Sequence, residues 1–163
     1  MRVSKLTHID KSGRARMVDV SGKAATARSA TATGTLSCLA ETLEQVRAGT
    51  TPKGSVIRTA ELAGIMGAKR TAELIPLCHP LPLTKVEVRI EIDDSLPGFR
   101  INSEARTNGV TGVEMEALTA ISIAGLTLFD MLKAIDRTMV VGNIEVRSKS
   151  GGKSSDWQRP GSL

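Results

Sequence analysis

Aromatic side chains are almost absent from this chain: Phe99, Phe129 and Trp157 stand among 163 residues, with no tyrosine. Proteins that read single-stranded nucleic acid stack bases on aromatic platforms, and here there is little to stack on. Cysteine is scarce too. Cys38 and Cys78 are too few for a disulfide scaffold and read as reduced thiols of a cytoplasmic protein. Histidine occurs twice, at His8 and His79. The one Cys–His cluster, Cys78-His79, lies in an extended segment, where adjacent side chains point to opposite sides. That suits neither a structural metal nor a Cys–His dyad, so no metal site is expected. The N-terminus has no apolar core of the roughly 7–15 residues a secretory signal carries. The longest apolar-leaning run, Ala117 to Phe129, is interrupted by Thr119, Ser122, Gly125 and Thr127. It falls short of the ~20 residues of a membrane span, so no membrane partner is expected.

What is present is an ordinary globular balance, 40% hydrophobic and 24% charged, enough for one domain over 1–163. Lysine and arginine (22) exceed aspartate and glutamate (17), giving +5. A basic surplus favours phosphorylated metabolites, nucleic acid or anionic lipid, and serves solubility equally well. Residues 1–24 read as a mobile arm with a short extended piece at Arg16–Val20, and 150–163 as a flexible tail.

Between them, Ala27–Leu36 alternates as a strand, and Cys38–Ala48 has helical spacing ending at Gly49. Ser55–Leu74 is again helical, with Gly64 and Gly67 inside it. The stretch Ile75–Leu83 holds Pro76, Pro80 and Pro82 and must be an extended, stiff connection. Lys85–Ile92 and Phe99–Arg106 form a hairpin about the turn 94–98. Val113–Ile135 is a long helix with Thr111 and Glu114 at capping-box spacing, and Val140–Lys149 is a last strand. This order predicts an α+β fold: a ferredoxin-like two-layer sandwich, with a four-stranded antiparallel sheet and helices on one face.

Three features bear on chemistry. The first is His79, whose proline-stiffened flanks lower the ordering cost of presenting a donor, although a single backbone hydrogen bond would explain it as well. The second is the glycine-rich basic string KSGGKS at 149–154. It fails the Walker pattern because Arg147 stands where glycine is required, yet its amides and lysines could wrap phosphate oxygens. The third is the long helix. Glu114 and Glu116 sit in its first turn, and Asp130 and Lys133 near its end at i, i+3. Glu116 and Asp130 are 14 residues apart, roughly 21 Å of helix, so one reacting atom cannot touch both. Apolar neighbours of Asp130 predict partial burial, balanced against Lys133, and a carboxyl poised near neutral pH. A rival signal, Leu62 to Thr71, carries the alanine–glycine spacing of a helix-turn-helix reader, but Pro76 would end its second helix early.

The strings LIPLCHPLPLTKVEV (74–88), TGVEMEALTAISIAGLTLFDMLKAID (111–136) and KSGGKS (149–154), with THID at 7–10 and MGAKRT at 66–71, resemble the MoaC family over about residues 5 to 155. These are the cyclic pyranopterin monophosphate synthases of molybdenum cofactor biosynthesis. The resemblance implies a ferredoxin-like fold, a homohexamer built as a trimer of dimers, and active sites at the dimer interface. It implies a purine-derived substrate, 3′,8-cyclo-7,8-dihydroguanosine 5′-triphosphate, converted to cyclic pyranopterin monophosphate with release of pyrophosphate. No redox cofactor is implied, and Mg2+ is left open as a companion of the triphosphate.

By position, the resemblance assigns catalysis to Asp130, Lys133 and Lys53. It assigns substrate binding to Leu77, Cys78, His79, Met115, Glu116, Lys69 and Lys149. Phe129, Arg137 and Ala72 depart from the family pattern, and none of them removes a catalytic group.

Overall fold

A computed structural model describes residues 12–153 and 156–161. Much of the expected mobile arm, His8 and the 7–10 string with it, lies outside the described residues, as do 154–155 and 162–163 of the expected tail. The elements run β1 (Thr26–Ser37), α1 (Ala40–Ala48), α2 (Val56–Lys69), α3 (Thr71–Leu74), β2 (Leu83–Asp93), β3 (Gly98–Gly109), α4 (Glu114–Leu132), β4 (Val140–Ser150) and β5 (Trp157–Gln158). They make an α+β structure with one antiparallel sheet in the order β2-β3-β1-β4-β5. The sheet therefore has five strands rather than the expected four. Its first four follow the split βαβ plan: β3 sits between β1 and β2, and β1 between β3 and β4.

Alternation explains which face is covered. Ala30, Ala32 and Leu36 of β1, Val88 and Ile90 of β2, and Phe99 and Ile101 of β3 are buried on one side, where α4 and α2 lie. The small residues of β1 set how close α4 comes. A Cβ at Gly34 would fall 2.5 Å from Ile121 Cγ2, so only glycine allows this approach. The opposite face carries Thr31, Thr33, Glu87, Arg89, Asn102, Glu104, Glu145 and Arg147 along open grooves.

α4, at 19 residues and mean hydropathy 1.5, is long and apolar enough by length and composition to reach across a bilayer, contrary to the expectation from its interrupted run. Its contacts explain the apolarity. Ala117, Ala120, Ile121, Ala124, Leu128 and Leu132 are fully buried against the sheet and α2, and each leucine or isoleucine so buried is worth about 1.5–3 kcal/mol.

Several expected boundaries shift for identifiable reasons. The helix expected over 55–74 breaks at Arg70 into α2 and α3, where the Thr71 hydroxyl donates to Ala68 O at 2.9 Å. Gly64 and Gly67 do not break it; they are where α2 presses on α4, with a Cβ at Gly67 only 2.6 Å from Ile123 Cγ1. With no turn from Leu62 to Lys69 and only the four-residue α3 after Arg70, the helix-turn-helix reading of 62–71 falls. Thr111 does not cap α4. The N-cap is Val113, and Glu114 turns instead to Lys149. Over 16–20 there is no strand, only an isolated bridge at Ala15. The tail is tied back: Trp157 pairs with Lys149, Arg159 N donates to Arg147 O at 2.8 Å, and its guanidinium lies 5.6 Å over the Trp157 ring.

Candidate active site

The proline-stiffened connection 75–82 leaves α3 through a turn, Cys78 N donating to Ile75 O at 3.0 Å, and enters β2 with Pro82 O accepting from the Thr107 hydroxyl at 2.8 Å. Fixed at both ends, it faces the first turn of α4. Between them lies a cavity of about 390 Å³ lined by Leu77, Cys78, His79, Met115 and Glu116, all five from the predicted set. His79 Nε2 is 2.8 Å from Val18 O, so the ring donates there and residues 18–23 form the remaining wall, with Val20 and Lys23. These wall residues escaped sequence reasoning, since an arm without periodicity carries no signal for a fold-back of this kind.

A smaller cavity of about 190 Å³ adjoins the first, sharing Lys23, Thr111, Gly112 and Glu114. It is lined by Arg28, Ser29, Lys149 and Gly151 as well. Lys149 Nζ is 2.9 Å from Glu114 Oε1, and Arg28 Nε donates to Gly109 O at 3.0 Å. The predicted Lys149 is thus brought beside the predicted His79 and Glu116. Arg28 and Lys23 are additional cations that no motif announced.

Electrostatics differ sharply along this wall. Glu116 is 4% exposed, and burial, with the nearby charge of Glu114, pushes its carboxyl above the usual range against a hydrogen bond from its own backbone. Burial and the Glu116 charge raise the Cys78 thiol in turn. Cys38, outside the site, is raised to about 11 by burial and Asp136. Neither sulfur is an activated nucleophile. Among the described residues no group of three or more His, Cys, Asp and Glu side chains is placed to hold a metal ion.

At the far end of α4 is a second cluster. Lys53 Nζ, from the loop after α1, donates to both Asp130 O and Asp130 Oδ2 at 2.9 Å, and Lys133 Nζ meets Asp130 Oδ1 at 2.7 Å. The expected partial burial of Asp130 does not occur: its side chain is 56% exposed. The two pulls do not balance either. Lys133 and Lys53 hold the carboxyl down to about 2, because the helix turns Asp130 outward while its apolar neighbours turn in. Lys69, exposed at the last residue of α2, lines neither cavity. Phe129 is half-buried against the core, Arg137 is exposed in the turn after α4, and Ala72 is half-buried in α3; all three lie away from the cavities.

Apart from Lys69, the site residues therefore gather into two groups on one chain, a cavity group at the start of α4 and a charged triad at its end. The same segments carry the likeness to known proteins. Residues 17–152 match the profile of the MoaC family. The chain is 57% identical over 157 residues to the cyclic pyranopterin monophosphate synthase of Nostoc sp., covering 96% of this chain and 94% of that protein. It is 60% identical over 153 residues to the protein of that name from Brucella ovis, covering 94% and 93%. With the profile spanning both groups of site residues and relatives similar from end to end, the chain belongs to the MoaC family.

Proposed function

We propose that the protein converts 3′,8-cyclo-7,8-dihydroguanosine 5′-triphosphate into cyclic pyranopterin monophosphate and pyrophosphate, a step of molybdenum cofactor biosynthesis. One observation carries this reading: a half-apolar cavity bearing a buried carboxylate opens beside a smaller one ringed by Lys23, Arg28 and Lys149. A ring system fits the first and a triphosphate the second. Lysines and arginine neutralise charge on the leaving pyrophosphate as the cyclic phosphodiester closes, with no covalent intermediate on the protein. Any Mg2+ enters with the triphosphate, as part of the substrate.

Ring rearrangement needs proton transfers. Asp130 is held as an anion, so it accepts a proton, and Lys53 and Lys133 donate. Leu77, Cys78, His79, Met115 and Glu116 hold the ring system, with Lys149 toward the phosphates; Lys69, outside both cavities of its own chain, would reach the substrate only from a second copy.

The roughly 21 Å between Glu116 and Asp130 supports a site shared between two copies. Two copies meeting antiparallel through the helical layer would set Asp130 of one beside Glu116 of the other. Leu62, Met66 and Leu126, each at least half exposed on the helical layer, offer the apolar surface for that contact. In this reading the sheet is the ferredoxin-like plan with β5 appended, the chain forms one domain, and the assembly is a cytoplasmic homohexamer built as a trimer of dimers.

The test is a pyrophosphate-release assay with the cyclised triphosphate. Stoichiometric pyrophosphate and cyclic pyranopterin monophosphate are expected; tight substrate binding with no pyrophosphate released would make the protein a carrier instead.

A further inference from the structure

The Lys53–Asp130 contact joins two segments that are 77 residues apart in sequence, and something must set their spacing. Lys53 sits on a turn fixed locally, with Thr51 buried, its hydroxyl donating to Gly54 O at 2.7 Å and Gly54 N returning to Thr51 O at 3.1 Å. That turn follows α1 directly, through Gly49 at φ 66°. The other end of α1 is held by one buried carboxylate. Asp136, 2% exposed in the turn after α4, accepts from Leu39 N at 2.9 Å and the Thr42 hydroxyl at 3.2 Å through Oδ2. Through Oδ1 it accepts from Thr138 N at 2.8 Å and the Thr138 hydroxyl at 2.7 Å.

Leu39 is the N-cap of α1, and its own side chain makes no cap, so Asp136 supplies the cap from another element. The result is a closed frame. α1 is the strut, Asp136 pins its first turn to the end of α4, and Lys53 at its far end meets α4 six residues upstream of Asp136.

We propose that Asp136 is a positioning residue for catalysis: by fixing the first turn of α1 against the end of α4, it determines where Lys53 meets Asp130. The inference rests on the reading of Lys53 and Asp130 as catalytic. Burial pulls the Asp136 carboxyl up, but the donors from Leu39, Thr138 and Thr42 outweigh it and keep the group ionised. A neutral amide of the same size cannot replace it, because its NH2 must face one of the two donor pairs.

Two variants test this. Asp136→Asn disrupts the frame at its centre. Leu39→Pro leaves the carboxylate and removes the N–H it accepts from, together with a half-exposed side chain, at a φ of −70° that proline adopts. In the full chain, kcat on the cyclised triphosphate is expected to fall about tenfold or more while KM stays within about twofold. The Asp130 carboxyl, followed by NMR titration, should rise from about 2 toward the usual range as Lys53 withdraws. Val88→Ala, a buried change in β2 chosen for comparable loss of Tm, should move neither readout.

If Asp136→Asn does not fold, Leu39→Pro decides. A folded Leu39→Pro with kcat and the Asp130 titration both as in wild type overturns the proposal. Should Lys53→Ala and Asp130→Asn themselves turn over normally, the catalytic reading beneath it falls instead.

Discussion

The two ends of α4 each carry an acidic side chain, and their surroundings push them in opposite directions. Glu116 is buried with a carboxyl raised by desolvation, whereas Asp130 is exposed and held low by Lys133 and Lys53. Residue type is nearly the same, and so is secondary structure. What separates them is which way the helix turns each side chain and what waits there. One helix thus presents a carboxyl that retains a proton readily and a carboxylate that stays charged, the pairing an enzyme needs when one group must donate or hold a neutral hydrogen bond and another must accept.

The sharpest way to break this contrast is Asp130→Asn. It keeps size and removes the charge and its titration, so substrate affinity should change little while turnover falls roughly 10²–10⁴-fold. Lys133→Ala should be similarly impaired and the double variant little worse than either, since a unit fails once. A rate within a few-fold of wild type would reduce the triad to a surface ion pair.

Mixing experiments sharpen the contrast by asking whether the two ends serve one site. Unfolded and refolded together, Glu116→Gln and Asp130→Asn chains should recover about a quarter of wild-type activity, because a mixed pair holds one intact site and one doubly altered. No recovery would mean that each copy works with its own two ends. Light scattering checks the premise: a mass of 17.3 kDa would report isolated chains.

The smallest effects are on stability, and they carry opposite signs. Between its unfolded value near 4.5 and its higher folded value, Glu116 makes the folded chain bind more protons than the unfolded, so stability falls as pH rises through that window. Glu116→Gln should therefore melt higher than wild type at pH 7, with the gap closing below pH 4.5. Asp130 does the reverse: its contribution is present above 3.8 and lost as pH falls toward about 2. Asp130→Asn should melt slightly lower at pH 7 and no differently at pH 2, a small change because water screens the exposed pair. Thermal melts across pH 2–7 check both signs.

The elements were largely legible in the sequence because period-2 and period-3.6 patterning records which side faces the core. The hairpin at 85–106 and α4 are such cases, and the Gly49 cap was announced by glycine itself. What escaped was tertiary. Thr111 and Glu114 have the spacing of a capping box, but Lys149 competes for the carboxylate from 35 residues away. β5 is too short for any periodicity and exists through pairing with β4. The apolar neighbours of Asp130 were visible, but whether they shielded it depended on the helix's orientation, which composition does not encode. The cavity at His79 was half legible: its prolines marked a rigid presenter, while Lys23 reached it, and Arg28 the adjoining cavity, through folding alone.

The two margins of the sheet have a consequence for how copies of this chain can gather. At one margin, Ile90 N of β2 donates to Glu61 Oε1 at 3.1 Å, and that carboxylate is also engaged by Arg58. At the other, β5 shields Ser148 and Lys149 of β4, and Arg159 N occupies Arg147 O. A foreign strand arriving at these points meets Ile90 N and Arg147 O already engaged, and on the β2 side a half-buried carboxylate. Growth by strand addition, the open-ended route to ribbons and fibres, is hindered at both of these points. The proposed assembly therefore uses the broad faces, where rotation closes a set of copies on itself and fixes its number.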